Sequence, residues 1–534
     1  MTRRETLRWA VAAGCATALV GGCGATGGMA PGAPAGCAAP AAACETAAPD
    51  APQPNTEAYD RIDENPFVDP HAQPLSTFAI DVDTASYANT RRFLLGGTLP
   101  PPDAVRIEEF VNYFRYDDAP PAGDEPFALT TELAACPWNT AHRIVRIGLA
   151  ARRIDDEQVP PRNLVFLLDV SGSMRAADKL PLVQAGMKLL VDRLRPQDSA
   201  AIVVYAGASG VALPATPGAD RGRIRAAIDE LRAGGGTNGA DGIRLAYEIA
   251  RGSFREGGIN RVILATDGDF NLGVTNRGEL TRLIERERAS GVFLTVLGVG
   301  SGNLKDAAME ELADRGNGNY HYLDSLSEAR KVLVREAGGT LVTVAKDVKV
   351  QVEFNPARVG AYRLLGYENR LLAAEDFADD AKDGGEIGAG HTVTALYEIA
   401  PPGSEAARAA PTLRYQERRE SAAADAADEV LTVHLRWKQP DGATSSELSR
   451  SVRDVDAAPI EQASESLRFA ASVAAFGMLL RGSEHAGEWD VERTIALARA
   501  AVGPDADGDR AEFLVLARRA RDLLDAREPN RGTR

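Results

Sequence analysis

The sequence predicts an α/β protein in which a doubly wound, mainly parallel sheet is flanked by a β-rich domain and a C-terminal helical module. Three observations lead to this fold class. Between residues 161 and 340, short apolar runs alternate with segments of helical periodicity. Segments with strand-like alternation lie both before and after that stretch. The last part of the chain carries apolar stripes at helical spacing.

The sheet domain is predicted from its buried strands. Residues 164–169 begin with a run that contains no polar side chain, as expected for a strand covered on both faces. Further strands are predicted at 201–205, 262–266 and 293–299, with weaker ones near 211–213 and 320–322. Between them, apolar residues recur at helical spacing, among them Val183, Met187, Leu190, Val191 and Leu194. Strands that alternate with amphipathic helices predict a doubly wound sheet.

The regions on either side of residues 161–340 are predicted to form one assembly. The N-terminal region, 75–160, begins with a strand and a capped helix and contains alternating strands within 127–150. The β-rich region, 341–458, has strand candidates at 348–354, 392–399 and 431–437. The simplest arrangement pairs 127–150 with this later region, so that the sheet domain is an insertion. Residues 459–525 then form the helical module, with one stripe at Phe469, Val473, Phe476 and Leu480.

The N-terminus is predicted to direct export and lipid attachment. Arg3 and Arg4 precede a mildly apolar run, and small residues precede Cys23. This pattern is typical of a bacterial lipoprotein signal peptide, residues 1–22, cleaved before a lipidated Cys23. An uncleaved anchor is the alternative, and export by the general or the twin-arginine route stays open. Residues 23–74 are rich in Ala, Pro and Gly and predict a disordered tether. The lipoprotein signal predicts a location in the bacterial cell envelope, lipid-anchored on the periplasmic side or at the outer membrane.

Charge and composition exclude some functions. The formal net charge is −16, and no basic stripe is visible, so we expect no nucleic-acid partner. The 6 histidines are scattered, and no arrangement of nucleophile and base can be recognised. We therefore do not expect an enzyme.

The strand at 164–169 leads directly into a predicted metal site. Asp169, Ser171 and Ser173 alternate after the apolar run, and Gly172 allows a tight turn. Thr237 lies in a glycine-rich loop, and Asp267 follows the strand at 262–266. Because the carboxyl ends of parallel strands meet at one edge of a sheet, these oxygens can converge there. Hard oxygen ligands favour Mg²⁺ or Mn²⁺.

These five residues resemble the metal-ion-dependent adhesion site of the von Willebrand factor type A (VWA) domain, a Rossmann-like fold. The resemblance implies direct coordination by Ser171 and Ser173. It implies a direct or water-mediated contact for Thr237, and water-mediated contacts for Asp169 and Asp267. A further position would be left for an acidic side chain of a partner protein.

Other segments resemble the YfbK-like bacterial lipoproteins. They lie at residues 76–89, 103–114, 352–356, 362–370 and 388–398, and the helical tail resembles the C-terminal module of that group. The resemblance covers most of residues 75–525 and implies no reaction.

The resulting functional hypothesis is a lipid-anchored envelope protein that binds a protein partner through a divalent metal. Two alternatives remain. The protein could be a scaffold of an envelope assembly with a purely stabilising metal, or, less in keeping with the sequence, a metal-dependent hydrolase.

Two further acidic patterns are interpreted as ordinary structure. Asp81 and Asp83 could form a carboxylate pair, but a strand end followed by a helix N-cap is favoured. Asp505, Asp507 and Asp509 resemble a calcium loop that lacks the required Gly and Glu, so a solvated loop is favoured.

Overall fold

The computed structural model describes residues 55–527 apart from 124, 156, 236–238, 269–276, 337–340, 381, 383, 410–427, 441, 443 and 455–457. The described residues all belong to one compact unit, Pro54–Arg534. The predicted signal peptide, Cys23 and the tether up to residue 54 lie outside the described part, as does Thr237. Within that part, every helix is too short or too polar to cross a bilayer.

Strands and helices occur along the whole described part of the chain. The strands are β1 (Leu75–Ala79), β2 (Phe127–Ala135), β3 (Arg143–Ala151), β4 (Arg162–Asp169), β5 (Ser199–Tyr205), β6 (Ser209–Pro217), β7 (Ile259–Thr266), β8 (Phe293–Val299), β9 (Tyr320–Leu323), β10 (Thr343–Phe354), β11 (Ala361–Leu365), β12 (Leu371–Leu372), β13 (Gly385–Gly388), β14 (Thr392–Ala400), β15 (Glu429–Lys438) and β16 (Ser445–Arg453). The helices are α1 (Ala85–Leu95), α2 (Ile107–Asn112), α3 (Leu180–Val191), α4 (Arg221–Glu230), α5 (Gly239–Gly252), α6 (Arg277–Ala289), α7 (Asp306–Arg315), α8 (Leu326–Arg330), α9 (Glu465–Arg481), α10 (Val491–Arg499) and α11 (Asp509–Arg527).

The central sheet has the strand order β6-β5-β4-β7-β8-β9. Its strands are parallel except β6, which runs antiparallel to β5 at one edge. Successive residues of β4 belong to different cores: Phe166 packs with α3 and α4, whereas Leu167 packs with α5 and α6. Helices therefore cover both faces, and the predicted doubly wound α/β fold is confirmed.

Two antiparallel sheets accompany the central one. In the first, β3 lies between β2 and β14, so a strand from before the central domain pairs with one from after it. In the second, β10 lies between β1 and β15. Apolar residues of both sheets, such as Phe78, Val145 and Tyr397, belong to one core. The two sheets are thus held together by the burial of their facing apolar sides.

The C-terminal helices form a further hydrophobic core, which contains several aromatic rings. Phe114, just after α2, contacts Phe469 of α9 and Phe513 of α11, with ring centroids 5.0 Å and 5.8 Å apart. The predicted stripe of Phe469, Val473, Phe476 and Leu480 is buried here. Ser464 caps α9 by accepting a hydrogen bond from Leu467 N at 3.0 Å. The predicted helical module is present and packs directly on the N-terminal region.

Residues 55–74 correct the prediction of a tether that extends to residue 74. Thr56 N donates to Gly302 O at 2.6 Å, and Val68 exchanges backbone hydrogen bonds with Tyr362. The Asn65 amide donates to the carbonyls of Leu364 and Gly366 at 3.1 Å and 2.8 Å. The segment carries few apolar residues, so no apolar pattern indicated its packing; backbone and amide hydrogen bonds fix it instead.

Candidate metal centre of the central sheet

Asp169, Ser171 and Ser173 lie together at the carboxyl end of β4. Asp169 is the last residue of the strand, and a short 3₁₀ turn, Gly172–Arg175, follows Ser171. Ser171 N donates to Asp169 Oδ1 at 2.8 Å, a local turn that Asp favours. The hydroxyl oxygens of Ser171 and Ser173 are 3.1 Å apart. Two neutral hydroxyl oxygens, which could both bind one metal ion, are therefore neighbours at the edge of the sheet.

The second oxygen of Asp169 joins the ends of two further strands. Asp169 Oδ2 accepts from Thr266 Oγ1 at 3.2 Å and from the Tyr205 hydroxyl at 3.4 Å. Burial raises the pKa of Asp169; hydrogen bonds from Ser171 lower it again in part, and the nearby Asp267 charge raises it. The ionised carboxylates at this edge would be stabilised by a nearby cation.

Asp267 already has a cation beside it. Its Oδ2 accepts from Lys179 Nζ at 2.8 Å, and both residues are buried. The Lys179 stem packs closely on Gly300, where an added Cβ would lie 2.3 Å from the Lys179 Cε. Lys179 is a site residue that the sequence analysis missed, because nothing in the sequence distinguishes it from a surface lysine near the start of α3.

The loop that carries Thr237 approaches the serines. Gly172 N donates to Gly235 O at 3.1 Å, and Gly234 N donates to Val170 O at 2.7 Å. Gly235 has a φ of 92°, a left-handed conformation that favours glycine. Thr237 itself lies outside the described residues.

The donor set fits a hard divalent cation. The described residues of the site supply two neighbouring hydroxyls and two buried carboxylates, and such ligands suit Mg²⁺ or Mn²⁺. The Lys179 ammonium would compete with the ion for the charge of Asp267. The assignment of all five predicted residues to a metal stays a prediction.

A second acidic group corrects the interpretation of Asp81 and Asp83. These residues follow β1, yet α1 begins after Thr84 without a side-chain cap. Instead, Asp81, Asp83 and Glu310 are buried with carboxylate oxygens within 4.8 Å of one another. Sequence spacing contains no signal for this group, because Glu310 belongs to α7 of the central domain.

Comparison with known proteins places this geometry in a family. The chain is 46% identical over 479 residues to the uncharacterized protein YfbK of Escherichia coli K12, which covers 88% of this chain and 82% of that protein. The chain belongs to the YfbK family. A model for the C-terminal region of YfbK matches residues 339–523 of this YfbK-family chain. A von Willebrand factor type A domain model matches 163–334, and a further von Willebrand factor model matches 53–146.

More distant similarities show lower identity or cover smaller parts of the chain. The uncharacterized protein sll0103 of Synechocystis sp. is 30% identical over 192 residues, 36% of this YfbK-family chain and 44% of that protein. Among solved structures, a von Willebrand factor type A protein from Catenulispora acidiphila is similar, with 16% identity, a TM-score of 0.39, and coverage of 73% of this chain and 89% of that one. The family-model match at residues 163–334 shows that the YfbK-family chain contains a VWA domain, a module that mediates protein interactions and often binds a divalent metal.

Proposed function

We propose that this protein captures a partner protein through a divalent cation, Mg²⁺ or Mn²⁺, held by Asp169, Ser171, Ser173, Thr237 and Asp267. The observation that supports this most is the pair of Ser171 and Ser173 hydroxyls, 3.1 Å apart beside a buried carboxylate. Neutral hydroxyls would leave much of the charge of the ion available to an incoming anion.

The roles of the protein side chains follow from their charge and burial. Ser171 and Ser173 bind the ion directly, and Thr237 contributes from the facing loop. Asp169 and Asp267 hold compensating negative charge behind the hydroxyls, fixed by Thr266 and Lys179. The bound ion supplies a positive centre to which a Glu or Asp of the partner attaches. That contact gives orientation and specificity, while the surrounding surface supplies much of the affinity.

We further propose that the protein acts in the bacterial cell envelope by binding rather than by catalysis. The signal-like residues 1–22 and Cys23 support a lipid anchor. Export followed by lipid attachment would present the VWA domain to partners at the membrane surface.

Affinity capture tests the proposal. Immobilised wild-type protein is exposed to an envelope extract of a producing bacterium, with Mg²⁺ or with excess chelator. We expect one or more proteins to be retained with Mg²⁺ and lost with chelator. Asp169→Ala and the milder Ser173→Ala should abolish capture, whereas Asp178→Ala, an exposed carboxylate on the next turn, should retain it. Equal capture with and without chelator by a folded protein would contradict the proposal.

A further inference from the structure

A polar cavity lies apart from the Ser171 and Ser173 hydroxyls, and neither serine lines it. Its volume is about 680 Å³, and its lining combines residues after β1, residues of α7 and the segment around β12. Asp81, Asp83 and Glu310 form its most buried acidic group, with exposed fractions of 4%, 2% and 4%. Three regions that are distant in sequence therefore supply carboxylates or arginines to one cavity.

Two carboxylate oxygens of this group lack hydrogen-bond partners. Asp81 Oδ1 accepts from Asp83 N at 3.0 Å, and Asp83 Oδ1 accepts from Tyr320 N at 2.8 Å. The other oxygens, Asp81 Oδ2 and Asp83 Oδ2, are buried and accept no hydrogen bond from any residue that the structure describes. A buried carboxylate oxygen without a partner is destabilising, so its retention points to a ligand. Both residues line the cavity.

The nearby Arg370 does not satisfy these oxygens. Its Nη2 donates a long hydrogen bond to Glu310 Oε1 at 3.5 Å, and it lies 3.4 Å from Asp81 Oδ1 and 3.6 Å from Asp83 Oδ2, without a hydrogen bond to the second oxygen of either Asp. Its Nη1 binds Asp314 Oδ2 at 2.7 Å instead. The shortest ion pair of Arg370 is therefore with Asp314, and its contacts with Asp81 and Asp83 are longer.

The balance of charge also favours an additional cation. Arg106 pairs with Glu310 and with Asp306, the latter at 3.2 Å. The buried carboxylates around Arg106 and Arg370 outnumber them; they are those of Asp81, Asp83, Glu109, Asp306 and Glu310. Either protons or a cation must offset the excess.

We propose that Asp81, Asp83 and Glu310 bind one hard divalent cation, such as Mn²⁺ or Ca²⁺. Carboxylate oxygens are the ligands that these ions prefer, and the cavity has room for water to complete the coordination. The ion links the segment after β1 to α7 of the VWA domain. This site is independent of the one formed by Ser171 and Ser173.

Electron paramagnetic resonance of Mn²⁺ counts the ions on the full chain. The Ser171→Ala/Ser173→Ala variant removes the hydroxyls of the first site and should still bind one Mn²⁺. Adding Asp81→Asn or Glu310→Gln to it should weaken that binding at least ten-fold. Glu311→Gln, the next residue of α7 and also in the cavity lining, is the matched control and should leave the binding unchanged.

The outcomes separate this proposal from the proposed partner-binding site. If only the serine site fails to bind metal, the wild type still holds one Mn²⁺ that Asp81→Asn removes. No stoichiometric Mn²⁺ on the folded double-serine variant, or binding indifferent to both carboxylate changes, overturns the second site. If Asp81→Asn fails to fold, Glu310→Gln provides the test. Ca²⁺ should raise the melting temperature of the double-serine variant, and this rise should disappear when Glu310→Gln is added.

Discussion

Lys179 places a positive charge against Asp267 at the residue scale. Its ammonium bonds to a carboxylate that is 1% exposed, and its stem is held against Gly300. In the absence of a divalent ion, this contact compensates for the burial of Asp267. The lysine would therefore make the fold less dependent on a metal and would compete with a bound cation for the charge of Asp267.

Lys179→Met should expose this competition. Methionine keeps the length of the stem but leaves Asp267 buried without its ammonium, and loss of one partner of a buried pair costs about 3–5 kcal/mol. We expect a lower melting temperature in chelator and a larger rise on adding Mn²⁺ than in the wild type. Lys188→Met, in α3 and more exposed, is the control. A metal-induced shift equal to that of the wild type would contradict the role given to Lys179.

Glu108 leads to a pH prediction. Burial, followed by the charge of Glu368, raises its pKa from 4.5 to about 7. Because the folded state holds the proton more tightly, the stability from Glu108 is fully present below the unfolded pKa and is lost as pH rises through the folded pKa. Glu108→Gln mimics the protonated form of the side chain. The free energy of unfolding of the variant should therefore fall less between pH 5 and 8 than that of the wild type, by about 3 kcal/mol at most.

Chemical unfolding of both proteins at pH 5 and pH 8, in chelator, measures the Glu108 effect. We expect the variant and the wild type to differ little at pH 5 and the variant to be the more stable at pH 8. The same loss of stability with pH in both proteins would show that Glu108 does not titrate in this range.

At the residue scale, the sequence could predict which side chains lie together only where they are close in the chain. Asp169, Ser171 and Ser173 are adjacent in the chain, so strand and turn geometry brings them together. Lys179 and the group of Asp81, Asp83 and Glu310 depend on tertiary packing. Their residue types are also common on surfaces, so no pattern marked them.

At the scale of elements, α1 joins the central domain to the C-terminal helices. Its Arg91 is 3% exposed and binds Asp324 at 2.5 Å and Glu328 at 2.7 Å, both near α8. It also binds Glu512 of α11 at 2.9 Å. One buried guanidinium thus pairs with carboxylates from two regions, because its several N–H groups can donate to more than one carboxylate at once.

Arg91→Met should destabilise the protein strongly. Asp324 and Glu328 would remain buried without their shared cation, which costs about 3–5 kcal/mol. Urea unfolding measures this loss. Arg521→Met, on the exposed face of α11, removes a solvent-exposed pair with Glu492 and should change the stability by less than about 1 kcal/mol. Similar small effects of both substitutions would refute the bridging role of α1.

Two strands whose extent the sequence did not predict well, β16 and β6, lie at the edges of their sheets. β16, Ser445–Arg453, is largely exposed, and its polar sequence has no apolar face to recognise. It is held by backbone pairing with β15. β6 extends beyond the residues predicted, because its pairing with β5 continues through exposed positions. Buried strands such as β4 and β7 were predicted closely over their apolar residues, whereas their first residues, which include the buried polar Asn163 and Asn260, were missed.

At the scale of the whole molecule, the VWA domain is inserted between strands that pair with each other. β1 pairs with β10, and β3 pairs with β14. The sequence could suggest this arrangement from the β-rich segments on both sides, but not the register. It also could not show that residues 55–74 pack on the folded unit, since they do so by hydrogen bonds.

Truncation should reveal this interdependence. A chain that ends at residue 340 lacks β10 and β14, so β1 and β3 lose partners and their shared core is opened. We expect residues 75–160 of the truncated chain to be digested rapidly by a protease. A chain that starts at residue 55 keeps every described strand and should resist digestion as the longer chain does. Equal resistance of the chain ending at 340 would show that the N-terminal region folds alone.

Water-proton relaxation during a Mn²⁺ titration tests the metal-dependent capture site most directly. Asp81→Asn serves as the background, so that only the serine site is observed. We predict one bound Mn²⁺ with enhanced relaxation, which requires an exchangeable water at the position reserved for the partner, and loss of both signals on adding Ser171→Ala/Ser173→Ala. No bound Mn²⁺, or a bound ion without exchangeable water, would contradict the account.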